Sequence, residues 1–302
     1  RLTLNLSGFN TSKAMTLNGM FHRCMILSSL DLNSFDTSQV TDFSYMFYGC
    51  MFLTSLNLNN FNTFKATTMS SMFSGCYYLK TLYLSSFDVS QVTDFRGMFY
   101  YCMSLESLDL HDFITSKGTT MAEMFVICQS LTSLDVSSFN TSQVTDFSNM
   151  FYYCKSLESL NLHNFETSKV TTMDEMFAEC SSLTSLDLSS FDTSQVTIFN
   201  HVFYGCSSLK SLELNSFNTS KGTTMNSMFF NCNSLTSLDL SSFDTSHVTD
   251  FNDMFYNCSS LESLNLNNFV TSQVNTTYKM FCGCSSLLSL DLSTFDVSHV
   301  II

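Results

Sequence analysis

Cysteine is the residue type whose spacing in this 302-residue sequence could most directly support chemistry. A ladder of thiols could form disulfides if neighbouring cysteines meet, or could bind a metal ion if four ligands converge. The one cysteine outside the ladder is Cys282, in a Cys-Gly-Cys motif. Eleven of the twelve cysteines follow one another at intervals of 26 residues, and they are Cys24, Cys50, Cys76, Cys102, Cys128, Cys154, Cys180, Cys206, Cys232, Cys258 and Cys284.

Packing explains this cysteine ladder better than covalent chemistry does. Each ladder cysteine ends an i, i+3, i+4, i+7 pattern of apolar residues, such as Phe147, Met150, Phe151 and Cys154, and should face the interior. Coils about 5 Å apart would bring neighbouring thiols within disulfide range, but eleven equivalent residues cannot all pair. We therefore predict buried free thiols with a structural role, and an exposed Cys282 that could cross-link to another chain.

Metal-binding and catalytic chemistry have weaker signals. The histidines do not converge, because His111 and His163, like His247 and His299, share a column but lie two coils, or roughly 10 Å, apart. Serine, histidine and aspartate recur in every repeat, so no unique catalytic constellation stands out. We predict no catalytic residue, no metal site, no cofactor and no enzymatic activity, while the acidic surface leaves calcium binding open.

Acidic side chains form the best candidate binding surface. Within the motif L-x-x-L-x-L, the residue between the last two apolar positions should point away from the core of a strand. We call this series the strand-face column; its acidic members are Asp31, Asp109, Asp135, Asp187, Glu213, Asp239 and Asp291. The column resembles the concave binding surface of other solenoids and could bind a basic or polyhydroxylated partner, or calcium. The alternative is a solvated face that only keeps the sheet soluble.

These columns exist because the chain repeats every 26 residues without insertion or deletion. The register predicts ten complete repeats over residues 25–284, with partial repeats at 1–24 and 285–302. In residues 129–154, alternating apolar and polar residues predict a half-exposed strand, followed by an Asn-Thr-Ser turn. The i, i+3, i+4, i+7 pattern then predicts a short helix or 3₁₀ segment. In some repeats a capping box, such as residues 120–123 or 172–175, indicates the start of that helix.

We therefore predict one repeat domain over residues 1–302 with an α/β solenoid fold. It would be a leucine-rich-repeat-like, right-handed stack of strand-turn-short-helix coils with a parallel sheet on one face. Proline is absent, which suits an uninterrupted parallel ladder, and most of the 31 phenylalanines fall in core columns. Neither end shows the polar cap that solenoids need, so we expect a segment of a longer protein, or ends covered by other copies.

Charge and hydropathy exclude several classes of function. The formal net charge of −14 argues against nucleic acid as a partner and against an anionic membrane surface, since both require basic patches. No run of 18 apolar residues occurs, so we predict no membrane span. These features favour a soluble binding or structural protein.

Two kinds of repeat alternate, which gives a higher unit of 52 residues. One kind reads Ser-Gln-Val-Thr-Asp-Phe, as at residues 142–147, and the other carries Ser-Lys and then Thr-Thr-Met, as at residues 168–173. Duplication of an ancestral two-repeat cassette would explain the alternation. A lateral contact that recurs at every second coil of a fibre would explain it as well. The alternation includes Lys117, Lys169 and Lys221 against Gln91, Gln143 and Gln195.

The complete motif resembles that of the BspA-like leucine-rich repeat surface proteins. Its clearest copy here spans residues 234–258, SLTSLDLSSFDTSHVTDFNDMFYNC, and the resemblance extends over the whole chain. It is closest to the branch first described in mycoplasmas and also abundant in lactobacilli. Phe43, Phe95, Phe147 and Phe251 depart from the family pattern, which usually has Met there. The resemblance implies an extracellular or cell-surface protein used in adhesion or cell–cell contact, and it implies no catalytic residues.

Two functions remain open at this point. The first is adhesion or protein–protein interaction, with a protein or glycan on another cell or matrix as the partner. The alternative is a structural protein that binds copies of itself, end to end or laterally, and forms extracellular filaments. The family resemblance favours adhesion, whereas the missing caps and the 52-residue alternation favour assembly.

Overall fold

Short parallel strands lie on one side of the stacked coils, in those coils whose backbone is extended there. The computed structural model describes residues 2–4, 6, 8–296, 298 and 300, so His299 lies outside the described residues. The strands pair in parallel as β1–β2, β3–β4, β5–β6 and β7–β8, which confirms the expected short parallel strands. Their bounds are β1 Leu2–Leu4, β2 Leu27–Leu30, β3 Ser55–Asn57, β4 Thr81–Tyr83, β5 Ser133–Leu134, β6 Ser159–Leu160, β7 Ser237–Asp239 and β8 Ser263–Asn265.

The strand register follows the 26-residue period. Leu56 of β3 lies opposite Leu82 of β4, and both leucines are buried. Asn57, opposite Tyr83, is exposed, because successive side chains of a strand point to opposite faces. The pairing therefore aligns equivalent residues of successive coils into columns.

The predicted short helix is wrong, because the described residues form no helix. Residues 147–154 form a run of turns, and we call this stretch and its equivalents every 26 residues the turn segment. The amides of Asn149 and Tyr153 donate to the carbonyl oxygens of Asp174 and Ala178 on the next coil, at 2.8 and 2.7 Å. The amide of Phe151 donates to Met176 on the next coil as well, at 3.0 Å, whereas the amides of Met150 and Tyr152 close tight turns within their own coil. The backbone hydrogen bonds thus run partly between coils, not along a helix.

Left-handed backbone conformations account for the absence of a helix. Two residues in each turn segment, four positions apart, have positive φ, such as Asn149 at 58° and Tyr153 at 60°. A right-handed helix cannot continue through such residues. The apolar residues of the segment are nevertheless buried, so the periodicity identified the inward face correctly.

The expected capping boxes are also replaced by inter-coil contacts. The hydroxyl of Thr120 accepts from the amide of Ala122 at 3.3 Å, two residues on and not three. The amide of Glu123 donates to the carbonyl of Ser148 on the next coil at 2.8 Å, and Glu123 itself has a φ of 62°. Residues 120–123 therefore begin a turn segment and not a helix.

Stacked phenylalanine rings fill the core of the solenoid. Neighbouring rings of one column are nearly parallel, with centroids 5.5 to 5.9 Å apart. Such offset aromatic contacts add to the free energy gained from burial. The column consists of Phe21, Phe47, Phe73, Phe99, Phe125, Phe151, Phe177, Phe203, Phe229, Phe255 and Phe281.

A column of buried threonines ties each coil to the next through side-chain hydrogen bonds. The Thr193 hydroxyl donates to the carbonyl of Asn218 at 2.9 Å and accepts from the amide of the same residue at 2.8 Å. Between residues 11 and 271 the column is interrupted only by Val89. At this point the amide of Ile114 on the next coil donates instead to the carbonyl oxygen of Asp112, at 2.9 Å. One hydroxyl per coil thus satisfies both backbone groups of one residue.

We expect Thr193→Val to destabilise the protein. The change keeps the shape of the side chain but removes two hydrogen bonds, each of which contributes about 0.5–1.5 kcal/mol. The midpoint of urea unfolding should therefore fall. The matched control is Val89→Thr, which should not lower the midpoint because it introduces a hydroxyl where the column lacks one. Equal midpoints for the native protein and Thr193→Val would contradict the role of this column.

The cysteine ladder lies along the inner side of the turn segments, and all twelve cysteines are free thiols. Ladder thiols donate to a carbonyl 29 residues earlier, as Cys154 Sγ does to the Phe125 oxygen at 3.2 Å. Burial raises the pKa of the Cys180 thiol to about 12. Cys282, by contrast, is exposed, while Cys24 and Cys284 at the two ends of the ladder are partly exposed. Cross-linking through Cys282 stays a prediction.

A thiol-specific maleimide should label Cys282 fastest in the native protein. The thiolate is the reactive species, and burial disfavours it along the ladder. Cys282→Ser should therefore remove the fast phase of labelling, whereas Cys76→Ser, at a buried position, should leave it. Rapid labelling of several cysteines in the folded protein would show that the ladder is open to solvent.

Candidate binding face

The structure places all seven acidic residues of the strand-face column on the surface. Most of them also stabilise a turn by accepting a hydrogen bond from the backbone amide two residues later. Asp135 Oδ1 accepts from the amide of Ser137 at 2.9 Å, and Asp187 Oδ1 accepts from the amide of Ser189 at 2.9 Å. Equivalent bonds are made by Asp31, Asp109, Asp239 and Asp291. The column is thus an exposed series of carboxylates with one oxygen engaged in local structure.

The same contacts favour the ionised carboxylates. The hydroxyl and the amide of Ser137 lower the pKa of Asp135, and the amide and hydroxyl of Ser189 lower the pKa of Asp187. Hydrogen bonds to a carboxylate stabilise its charged form. The pKa values of Asp239 and Asp291 are lowered in the same way, so these four carboxylates keep their negative charge at lower pH than unperturbed aspartates would.

Neither a metal site nor a membrane-spanning helix is found in the described part of the chain. No three His, Cys, Asp or Glu side chains lie close enough together there to hold a metal ion. His111, for example, contacts Asp109 and Asp112 at 3.3 and 3.0 Å, and all three side chains are exposed. The same described residues contain no helix that is long and apolar enough to cross a membrane.

The strand face has a polar depression towards its carboxyl-terminal end. Glu213, Asp239 and Asn265 line it from three successive coils, and it has a volume of about 280 Å³. Serine side chains complete its wall. Two of the predicted binding residues are therefore brought together in one shallow surface site.

Exposed apolar side chains form a second surface, which the sequence analysis missed. We call Ile26, Phe52 and Tyr78 the apolar patch; they are 66%, 49% and 51% exposed. The rings of Phe52 and Tyr78 stack with their centroids 5.4 Å apart. With Lys80 and neighbouring hydroxyl side chains, they line a groove of about 810 Å³ on the strand face.

The apolar patch occupies a column that is otherwise serine. Every equivalent position after Tyr78 is serine, from Ser104 to Ser286. The preceding column changes in the same way, from Met25 and Met51 in the first coils to Gln129 and later polar residues. A comparison of the repeats column by column could have found this signal. The patch is a local departure from a polar consensus, so packing of the solenoid does not require it.

The lysines of the two-coil alternation bond within the solenoid. Lys169 Nζ donates to Gln143 Oε1 on the preceding coil at 2.6 Å, and Lys221 makes the same contact with Gln195 at 2.6 Å. Lys117 and Gln91 pair in the same way. Coils of the two kinds therefore have complementary surfaces towards each other.

Several solved structures are similar to this chain at low sequence identity. A leucine-rich repeat protein from Bacteroides ovatus is 21% identical, with 82% of this chain and 69% of that chain covered and a TM-score of 0.46. A leucine rich cell surface protein from Faecalibacterium prausnitzii is 20% identical, with coverages of 92% and 70% and a TM-score of 0.44. The functional domain of InlJ from Listeria monocytogenes, described as including a cysteine ladder, is 16% identical, with coverages of 83% and 50% and a TM-score of 0.30.

Sequence comparison assigns the chain to a family. No curated protein is similar enough to count as a match. One family model, described as "Mycoplasma protein of unknown function, DUF285", matches residues 1–80, 51–134, 78–184, 119–237 and 209–302. These overlapping matches extend over the whole sequence and confirm the resemblance to the mycoplasma branch of these repeats. The chain therefore belongs to the DUF285 family.

Proposed function

We propose that this chain is a binding module of an extracellular or cell-surface protein, and that it attaches to a protein on another cell or matrix. The observation that carries the proposal is the exposed apolar patch of Ile26, Phe52 and Tyr78. Exposed apolar side chains that cluster, and are not scattered singly, are typical of interaction sites. The resemblance to BspA-like surface proteins supports the extracellular location and the adhesive role.

The energetics of the patch favour binding by burial. Full burial of one large apolar side chain contributes about 1.5–3 kcal/mol. Phe52 and Tyr78 are already stacked on each other, so a partner meets a preformed surface and little side-chain entropy is lost. Three such side chains are sufficient for the core of a small protein interface.

Charge complementarity indicates the chemistry of the partner. The patch lies on the same face as Asp31, the acidic strand-face residue of the coil that carries Ile26, and the chain carries a formal charge of −14. A partner that places an apolar segment on the patch and basic side chains beside it would match both features. Such charges accelerate association and select the partner more than they add affinity. We therefore propose a protein with an apolar segment bordered by lysine or arginine.

The alternative of a filament-forming protein rested partly on the two-coil alternation. The pairs between Lys169 and Gln143 and their equivalents account for that alternation within one molecule. We therefore keep adhesion as the proposed function.

The apolar patch can be tested by adhesion of protein-coated beads to cultured cells and to matrix-coated surfaces. The variant is Ile26→Ser, Phe52→Ser and Tyr78→Ser together, which copies the serine of the later coils and should preserve the fold. We expect at least a tenfold loss of adhesion, since about 1.5–3 kcal/mol is lost for each buried side chain. Circular dichroism and the unfolding midpoint would check that the variant folds.

The matched control is Phe64→Ser, which removes an aromatic residue that is 60% exposed but lies outside the patch. This control should adhere like the native protein. Adhesion of native beads that equals that of the triple variant would contradict the proposal. Sedimentation of the native protein across a dilution series adds a second check, because reversible polymers that disappear in the triple variant would assign the patch to self-association.

A further inference from the structure

A column of tyrosines recurs at every second coil of the turn segments. The positions between these tyrosines are occupied by Ser74, Val126, Ala178 and Phe230, so the space between successive rings differs along the chain. The rings are partly exposed. The tyrosines are Tyr48, Tyr100, Tyr152, Tyr204 and Tyr256.

One of these spaces is occupied by the chain itself, which shows what fits there. The ring of Phe230 lies between Tyr204 and Tyr256, with centroids 4.6 and 4.7 Å apart and interplanar angles of 6° and 7°. Two tyrosines separated by two coils therefore accept one flat group with contact on both of its faces.

The preceding space lacks this group. Ala178 stands between Tyr152 and Tyr204 where Phe230 stands one interval later. A surface cavity of about 300 Å³ is lined there by both tyrosines and Ala178, together with Tyr153 and two carboxylates from Glu175 and Glu179. The cavity thus has a tyrosine from each of the two coils that flank Ala178, as Phe230 has one interval later, and it lacks the ring that fills that interval.

Glu175 and Glu179 give this cavity a negative charge, and a nearby lysine, Lys155, is stabilised in its charged form. Lys155 Nζ lies 3.9 Å from the centroid of the Tyr153 ring, an ammonium group in contact with an aromatic face. A hydrogen bond to Tyr153 and the charge of Glu179 raise the pKa of Lys155. Tyr153 and Glu179, which line the cavity, therefore already stabilise one cation, the ammonium group of Lys155.

His201 also lines the cavity. Its ring lies 3.9 Å from the Glu175 carboxylate, measured from Nδ1 to Oε1, and this Nδ1 has no hydrogen-bond partner among the described residues. Glu175 therefore has no short ion pair with it. Both glutamates are partly exposed and can reach an incoming group.

We propose that the cavity between Tyr152 and Tyr204 binds an arginine side chain of a protein partner. The guanidinium group is flat, permanently charged and stacks on aromatic faces, as the ring of Phe230 does between the next pair of tyrosines. Its N–H groups would donate to Glu175 and Glu179 as charge-assisted hydrogen bonds. Lysine lacks the flat shape, and an aromatic ring gains nothing from the carboxylates. The site uses no residue of the apolar patch, so it holds or fails independently of the proposed function.

The test is a titration with a blocked tripeptide, acetyl-Gly-Arg-Gly-amide, followed by NMR of the tyrosine ring protons. The same peptides with Lys or Phe at the centre serve as comparison probes. We expect saturable binding of the arginine peptide. Glu175→Gln with Glu179→Gln should weaken it about tenfold or more, since hydrogen bonds to charged groups contribute roughly 1.5–3 kcal/mol. Ala178→Phe, which copies the filled space at Phe230, should abolish it.

Phe230→Ala provides the matched control space. It opens the interval between Tyr204 and Tyr256, but Ser227 and Asn231 stand there where the cavity has its two glutamates. This variant should gain no second arginine site. Equal binding of the three peptides, no saturable binding by the native protein, or unchanged affinity in the double glutamine variant would each overturn the proposal. The glutamine variant keeps the size of two partly exposed side chains, so it tests the site even if Ala178→Phe fails to fold.

Discussion

The hydrogen bond from one coil to the residue 25 positions later is the interaction on which the rest of the structure depends. Tight turns within a coil pair only part of its buried backbone groups, so the remaining groups must pair with the neighbouring coils. The turn-segment amides do this directly, and buried threonines such as Thr193 do it through their hydroxyls. Because every coil obeys the same offset, equivalent side chains fall into columns, and each surface described above is one of these columns or the space between its members.

The period, the inward columns and the exposed carboxylates could be predicted from the sequence, because burial leaves a periodic signal. The turn segment could not. Its pattern of apolar residues is that of a helix, and the left-handed positions carry large side chains, such as Ile127 at a φ of 57° and Glu179 at 61°. Glycine, which adopts this conformation readily, marks only some of these positions, such as Gly49 and Gly97, whereas at the others inter-coil hydrogen bonds hold less suitable residues in place. The apolar periodicity shows which side of the turn segment is buried, but it does not show which carbonyl oxygens accept hydrogen bonds from its amides.

The candidate surfaces also divide into those that the sequence predicts and those that it does not. Asp135 and its equivalents stand out in the sequence because they recur, and the structure shows that recurrence partly reflects a turn that every coil needs. The apolar patch and the cavity at Ala178 were missed because each exists in only a few coils and disappears in a consensus. In a repeat protein the shared residues build the scaffold, and specific recognition is best sought where one coil differs from the others.

The pairing of unlike coils constrains how such a gene can change in length. Lys169 reaches back to Gln143 because the two kinds of coil alternate from residue 39 to residue 221. Unequal crossing-over that removed a single coil would place two like coils together and break this contact. Removal of two coils would keep unlike coils adjacent and so preserve the Lys–Gln hydrogen bond. Recombination within the gene can therefore shorten or extend the solenoid in steps of 52 residues and move its few distinctive coils relative to each other without rebuilding the fold.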